Sequence, residues 1–142
     1  MKTISVDKDK TEEFNLPFRD VSSGLAAAGL YCPGSLVRMK INTDSEITRG
    51  MPEECGVFYR GRPVFRTSVP NFDMDRKVLG TIPEKDILMS GYIEKAEKLA
   101  NKPVMIWLKK GKGQMVLMGF NPQFRSSTHV TYKLLFNSLL LD

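Results

Sequence analysis

Pro103-Val-Met-Ile-Trp-Leu-Lys-Lys-Gly-Lys-Gly-Gln-Met-Val-Leu-Met-Gly-Phe120 holds the strongest folding signal in the chain. Two apolar runs, 103–109 and 114–120, flank a Lys-Gly-Lys-Gly turn, which is the arrangement of a β-hairpin. Both faces of each run are apolar, so the spacing predicts strands covered on both sides, with the hairpin at the centre of a sheet. In the 127–141 segment that follows, Val130, Tyr132, Leu134, Leu135, Phe136, Leu139 and Leu140 spread widely around a helical wheel. That pattern predicts a mostly buried helix covering one face of the sheet. Val104, Ile106, Leu108, Leu117, Phe120, Leu135, Phe136 and Leu139 then supply a continuous apolar core.

Upstream, Val37, Met39 and Ile41 alternate with Arg38 and Lys40, predicting a strand over 35–42 with one buried and one wet face. Residues 57–59 and 64–66 flank Arg60-Gly61-Arg62-Pro63 and read as a short edge hairpin. Val78, Gly80 and Ile82 suggest a further strand, and 93–100 a short helix with Ile93, Ala96 and Ala100 on one face. Residues 21–30 form another short helix, stopped by Gly29 and the Pro33-Gly34 pair. Before it, 1–20 is rich in charge and reads as a mobile or surface-wrapped arm, leaving 21–142 as one domain. The expected class is α/β in the α+β sense: a mixed β-sheet with a central antiparallel hairpin, packed by a C-terminal helix.

Composition narrows the function classes. The chain has 142 residues and a formal net charge of +5, a weak preference for acidic partners that does not by itself indicate nucleic-acid binding. His129 is the only histidine, which argues against hydrolytic zinc chemistry; no metal and no cofactor is expected. Cys32 and Cys55 form neither a CxxC motif nor a disulfide-dense scaffold, and a single bridge between them stays open. No signal-peptide core and no apolar run of membrane-spanning length is visible, so the chain reads as soluble.

Several constellations resemble catalytic motifs and fail on detail. Lys110-Gly111-Lys112-Gly113 is no phosphate loop, since that motif needs a glycine where Ile106 stands and a hydroxyl where Gly113 stands. Cys32, Cys55 and His129 come in the order of a nucleophilic pair, but neither cysteine sits in a strained elbow, and both read as structural. His129 reads as a boundary residue, and Glu53-Glu54 and Asp73/Asp75 as solvated carboxylates. No catalytic residue is assigned. Arg60, Arg62 and Arg66 interleave with Phe58, Tyr59 and Phe65, a basic-aromatic cluster able to contact acidic ligands, or otherwise an edge guarded against aggregation. A second candidate surface is Asn121-Pro122-Gln123-Phe124-Arg125 together with Arg49, because Phe124 and Arg125 precede the start of the last helix. In the structural alternative Phe124 is a hydrophobic staple and Arg125 pairs with a carboxylate.

Gly111-Lys-Gly-Gln-Met-Val-Leu-Met-Gly-Phe-Asn-Pro-Gln-Phe-Arg125, followed by Thr128-His-Val-Thr-Tyr-Lys-Leu-Leu-Phe-Asn-Ser-Leu-Leu140, resembles the end of the C-terminal domain of some bacterial zinc carboxypeptidase-like proteins. That domain is similar to class I glutamine amidotransferases. Tyr31-Cys-Pro-Gly-Ser-Leu-Val-Arg-Met-Lys-Ile41 and Ile47-Thr-Arg-Gly-Met-Pro-Glu-Glu54 resemble it as well. The resemblance implies part of a flavodoxin-like three-layer sandwich without its opening β-α-β units, and so a larger parent or a shortened stand-alone chain. It does not carry catalysis across. The peptidase domain needs a His-x-x-Glu pair and another histidine, and an amidotransferase needs glutamate two residues after its histidine, where this chain has Thr131. What it implies is a non-catalytic accessory domain whose partner is a peptidase catalytic domain or a second copy of the chain. Nucleic acid is the disfavoured alternative.

Overall fold

The alternation around Val37 sets the hub of the architecture. In the computed structural model, which describes residues 16–141, strand β2 (Ser35–Ile41) buries Val37, Met39 and Ile41 and turns Arg38 and Lys40 outward. One edge of β2 pairs along its length with β3 (Glu54–Tyr59), from Ser35 opposite Tyr59 to Lys40 opposite Glu54. Its other edge is shared. Lys40 and Ile41 meet the end of β5 (Met74–Thr81), while Leu36 and Val37 meet the short β6 (Leu88–Ser90). β5 then pairs with β7 (Pro103–Lys110), and β7 with β8 (Gly113–Met118). A Cβ at Gly80 would collide with the Met39 side chain, so glycine there lets β5 cross close to β2 at the irregularity in its ladder with β7.

The class is α+β, as the pattern of strands and short helices suggests, and every strand pairing is antiparallel. The parallel pairs of a doubly wound sandwich do not occur among the described residues. The hairpin at 103–118 is present with its tight turn, but it closes one end of the sheet rather than its centre. β7 is an internal strand and β8 the outer one. β7 is covered on both faces as expected: Met105 and Trp107 face the main core, while Ile106 and Leu108 pack with Phe65, Phe18 and Leu117. β8 is not; Met115 is exposed and Val116, Leu117 and Met118 are half-buried.

The second cluster exists because the expected edge hairpin at 57–66 is not one. β4 (Phe65–Thr67) leaves β3 and pairs instead with β1 (Phe18–Asp20), making a separate two-stranded sheet over the outer face of β7. Phe18 meets Phe65 edge-on, with ring centroids 5.9 Å apart. The local cause is Asp20, whose carboxylate accepts the N–H groups of Val64 at 3.2 Å and Ser22 at 2.9 Å. It ties the incoming chain to β4 and accepts the N–H of Ser22, the first residue of α1 (Ser22–Ala27). The end of the expected arm is therefore a strand, while residues 1–15 lie outside the described residues.

Two helical expectations change. Residues 93–100 form only a 3-10 turn at Ala96–Leu99, preceded by Lys95 in the left-handed region at φ 53°. The last helix, α2 (Tyr132–Leu139), starts later than the apolar pattern suggests and buries only Leu134 completely. Phe136, Leu139 and Leu140 are 60%, 72% and 78% exposed, so the expectation that Phe136 and Leu139 belong to the core is wrong. The reason is docking by polar groups along one edge: the Asn137 amide donates to the Ile47 carbonyl at 2.8 Å, and the Lys133 ammonium to the Gly50 carbonyl at 3.1 Å. These bonds hold Leu134 inward and turn the opposite stripe to solvent. Among the described residues no helix is long and apolar enough to cross a membrane.

Candidate binding surface

The sheet curls until its far strand approaches the chain leaving β8, where the Asn121 N–H donates to the Phe58 carbonyl at 3.0 Å. This bridge joins two segments that the sequence singles out separately. Phe58 on β3 and Phe124 stack face to face, with centroids 3.8 Å apart and planes 3° from parallel. The Arg125 guanidinium carbon stands 5.5 Å from the Phe124 ring centroid, on the scale of a cation–π contact. Arg60, just past the end of β3 and two residues along from Phe58, is exposed, as is Gln123 beside Phe124 in sequence.

The loop that presents these groups is held from beneath. Thr131 is fully buried; its hydroxyl lies 2.6 Å from the Pro122 carbonyl and 2.7 Å from the Thr128 carbonyl, and the Thr128 hydroxyl sits 2.8 Å away. One 3-10 turn, Phe124–Ser126, precedes the expected helix, and a second, His129–Thr131, occupies its expected first turn. Arg125 and Ser126 have φ of 44° and 57°, two consecutive side-chain-bearing residues in the left-handed region. That conformation costs roughly 1–2 kcal/mol per residue and persists only where the surroundings impose it. Phe124 is no staple for the helix; it lies on Phe58.

Arg62 and Arg49 stand elsewhere. Arg62 faces Asp20. Burial acts to raise the Asp20 carboxyl, but hydrogen bonds from Ser22 and Val64 and the Arg62 charge outweigh it and hold the group below its ordinary value. Arg49 pairs with Glu46 at 3.2 Å and lines an open cleft of about 650 Å³ with Asp44, Lys77 and Trp107. The Trp107 indole donates to Gln114 at 2.8 Å, and the Lys77 ammonium to the Asp44 carbonyl at 2.6 Å. The sequence could not have revealed this cleft, since it depends on the register that sets Lys77 opposite Trp107.

The groups considered for nucleophilic chemistry differ in exposure. Both cysteines are free. The Cys32 thiol is buried and donates to the Tyr59 carbonyl at 3.3 Å, and burial raises its pKa. Burial pushes the Cys55 thiol up to about 11. Such thiols are held in the protonated, weakly nucleophilic form at neutral pH. His129 is exposed and stacks on Tyr132, with centroids 6.0 Å apart. Among the described residues no group of three or more His, Cys, Asp or Glu is placed to hold a metal ion. Compared with known proteins, the chain matches no protein-family model, no curated protein and no solved structure.

Proposed function

We propose that this chain is a non-catalytic interaction domain that presents Phe124, Arg125, Gln123 and Arg60 to an acidic protein surface. The observation that carries the reading is the left-handed pair Arg125 and Ser126, mounted on the Phe58–Phe124 stack and anchored through buried Thr131. Backbone held in a costly conformation clusters at functional sites, and here it displays an exposed arginine on a loop. Stacked aromatics beside guanidinium groups supply an apolar anchor and carboxylate-binding donors, the chemistry enriched at protein interfaces. Thiols held protonated at neutral pH, Cys32 buried and Cys55 half-buried, favour an interaction role over a thiol-dependent hydrolase. The resemblance to the C-terminal domain of zinc carboxypeptidase-like proteins supplies a candidate partner class, the catalytic domain of such a peptidase.

Titration with a glutamate-rich peptide, and in parallel with an oligonucleotide of equal charge, tests the reading. The peptide should bind in a salt-sensitive manner, and Arg125→Ala should weaken it about tenfold while leaving stability within about 0.5 kcal/mol. Tighter binding of the oligonucleotide, or an Arg125→Ala effect on stability alone, would refute it.

A further inference from the structure

We propose that β8 and α2 form the contact face of a homodimer, in which the β8 edges of two copies pair antiparallel and their α2 helices meet above the seam. Among the described residues, the strand partner of β8 is β7 alone. The register fixes which backbone groups face outward. Gly119 donates its N–H to the Val104 carbonyl at 2.7 Å, so that pair and every second pair from it exchange hydrogen bonds across the hairpin. Val116 and Met118 fall between, and their N–H and C=O groups point away from β7. Edge strands are normally guarded by charge or proline. Gly113-Gln-Met-Val-Leu-Met118 carries neither.

The helix supplies the second observation. Leu134 holds α2 down, and Phe136, Leu139 and Leu140 lie on the opposite stripe with most of their surface exposed. Their exposed apolar area is on the order of 400 Å², the size at which patches mark interaction sites. Leu135 and Leu139 form one wall of a groove of about 550 Å³ whose other wall includes Val116 and Met118. Leu139 joins the two, since it belongs to the exposed stripe and lines the groove beside the β8 edge.

A second copy satisfies both at once. Antiparallel pairing about a two-fold axis through Val116 sets Val116 opposite itself in a hydrogen-bonded pair, a self-complementary contact. The axis stands perpendicular to the sheet, so both α2 helices lie on one side, each with Leu139 of its exposed stripe beside the seam. Antiparallel geometry also sends the two lysine-bearing turns at 109–112 to opposite ends of the seam, keeping like charges apart. Added to the helix stripe, a paired strand approaches the roughly 800 Å² per partner of a stable interface.

Sedimentation equilibrium on the 142-residue chain, from about 1 to 100 μM, reads the outcome directly. The mass should rise from monomer to dimer across that range. Val116→Pro removes an N–H that makes no bond to β7, so the hairpin should survive while dimerisation weakens at least about tenfold. Phe136→Ser with Leu139→Ser, which alters exposed positions only, should weaken it by a similar factor. Circular dichroism checks each variant's fold; should the proline variant unfold, the helix variant decides. A monomer mass throughout, as expected if the groove takes an extended peptide from another protein, overturns the proposal. So does a dimer of unchanged affinity in a folded variant.

Discussion

Leu134 and Phe136 sit two residues apart on one helix and should respond in opposite ways to truncation. Leu134 is fully buried, and Leu134→Ala removes three carbons, worth about 2.4 kcal/mol at roughly 0.8 kcal/mol per methylene. A cavity penalty adds to this, while an eight-residue helix held partly by Lys133 and Asn137 can settle inward and recover some of it. The net expectation is about 3 kcal/mol, near the lower end of the range for leucine truncation. Phe136 is 60% exposed, and Phe136→Ala should cost under about 1 kcal/mol. Urea unfolding of both variants at about 1 μM, where the dimer contributes little, separates them through the midpoint at constant slope. Equal losses, or a larger loss for Phe136, would refute the orientation of α2.

Asp20→Ala should cost about 1–2 kcal/mol through loss of the hydrogen bonds to Ser22 and Val64, read by thermal or urea melts. Because the folded pKa of Asp20 lies below its ordinary value, its stabilising contribution is complete above the unfolded carboxylate range and is lost as pH falls through the folded value; the Asp20→Ala penalty should shrink accordingly in melts below about pH 4. Thr131→Val leaves the Pro122 carbonyl without the Thr131 hydroxyl and should cost about 1–3 kcal/mol, with the amide signals of 121–127 broadening or shifting. Thiol titration should find two free cysteines in denaturant, and in the native protein at pH 8 Cys55 should react on the order of 100-fold more slowly than a free thiol.

The parts of this fold that are legible in the sequence are those written in local patterns. The β2 strand follows from side chains alternating between two environments, and the β7–β8 turn from glycines between apolar runs. What fails is non-local. The apolar pattern of 127–141 shows that two faces of the helix are greasy, not which one finds a core; the choice is made by Asn137 and Lys133 reaching carbonyls on the 42–53 loop. The stretch around Arg60-Gly61-Arg62-Pro63 has the composition of a hairpin, yet β4 pairs with β1 because Asp20 binds the backbone of Val64. The hairpin at 103–118 lies at the end of the sheet because β5, not β8, carries the chain towards β2.

The candidate surface shows the same division. Phe124 and Arg125 are conspicuous in sequence, and so are Phe58 and Arg60, but their union depends on the curl that brings Asn121 to Phe58. Arg49 lines another cleft instead. No spacing rule separates these arginines, since each is an exposed basic residue beside a turn.

The most direct test of the interaction reading is an amide chemical-shift map recorded while a glutamate-rich peptide is titrated into the labelled protein. The account predicts a contiguous set of shifts at Phe58 to Arg60 and at Asn121 to Ser127, with the amides lining the Trp107 cleft unchanged. Shifts centred on Arg49, Lys77 and Trp107, or none at all at saturating peptide, would contradict it.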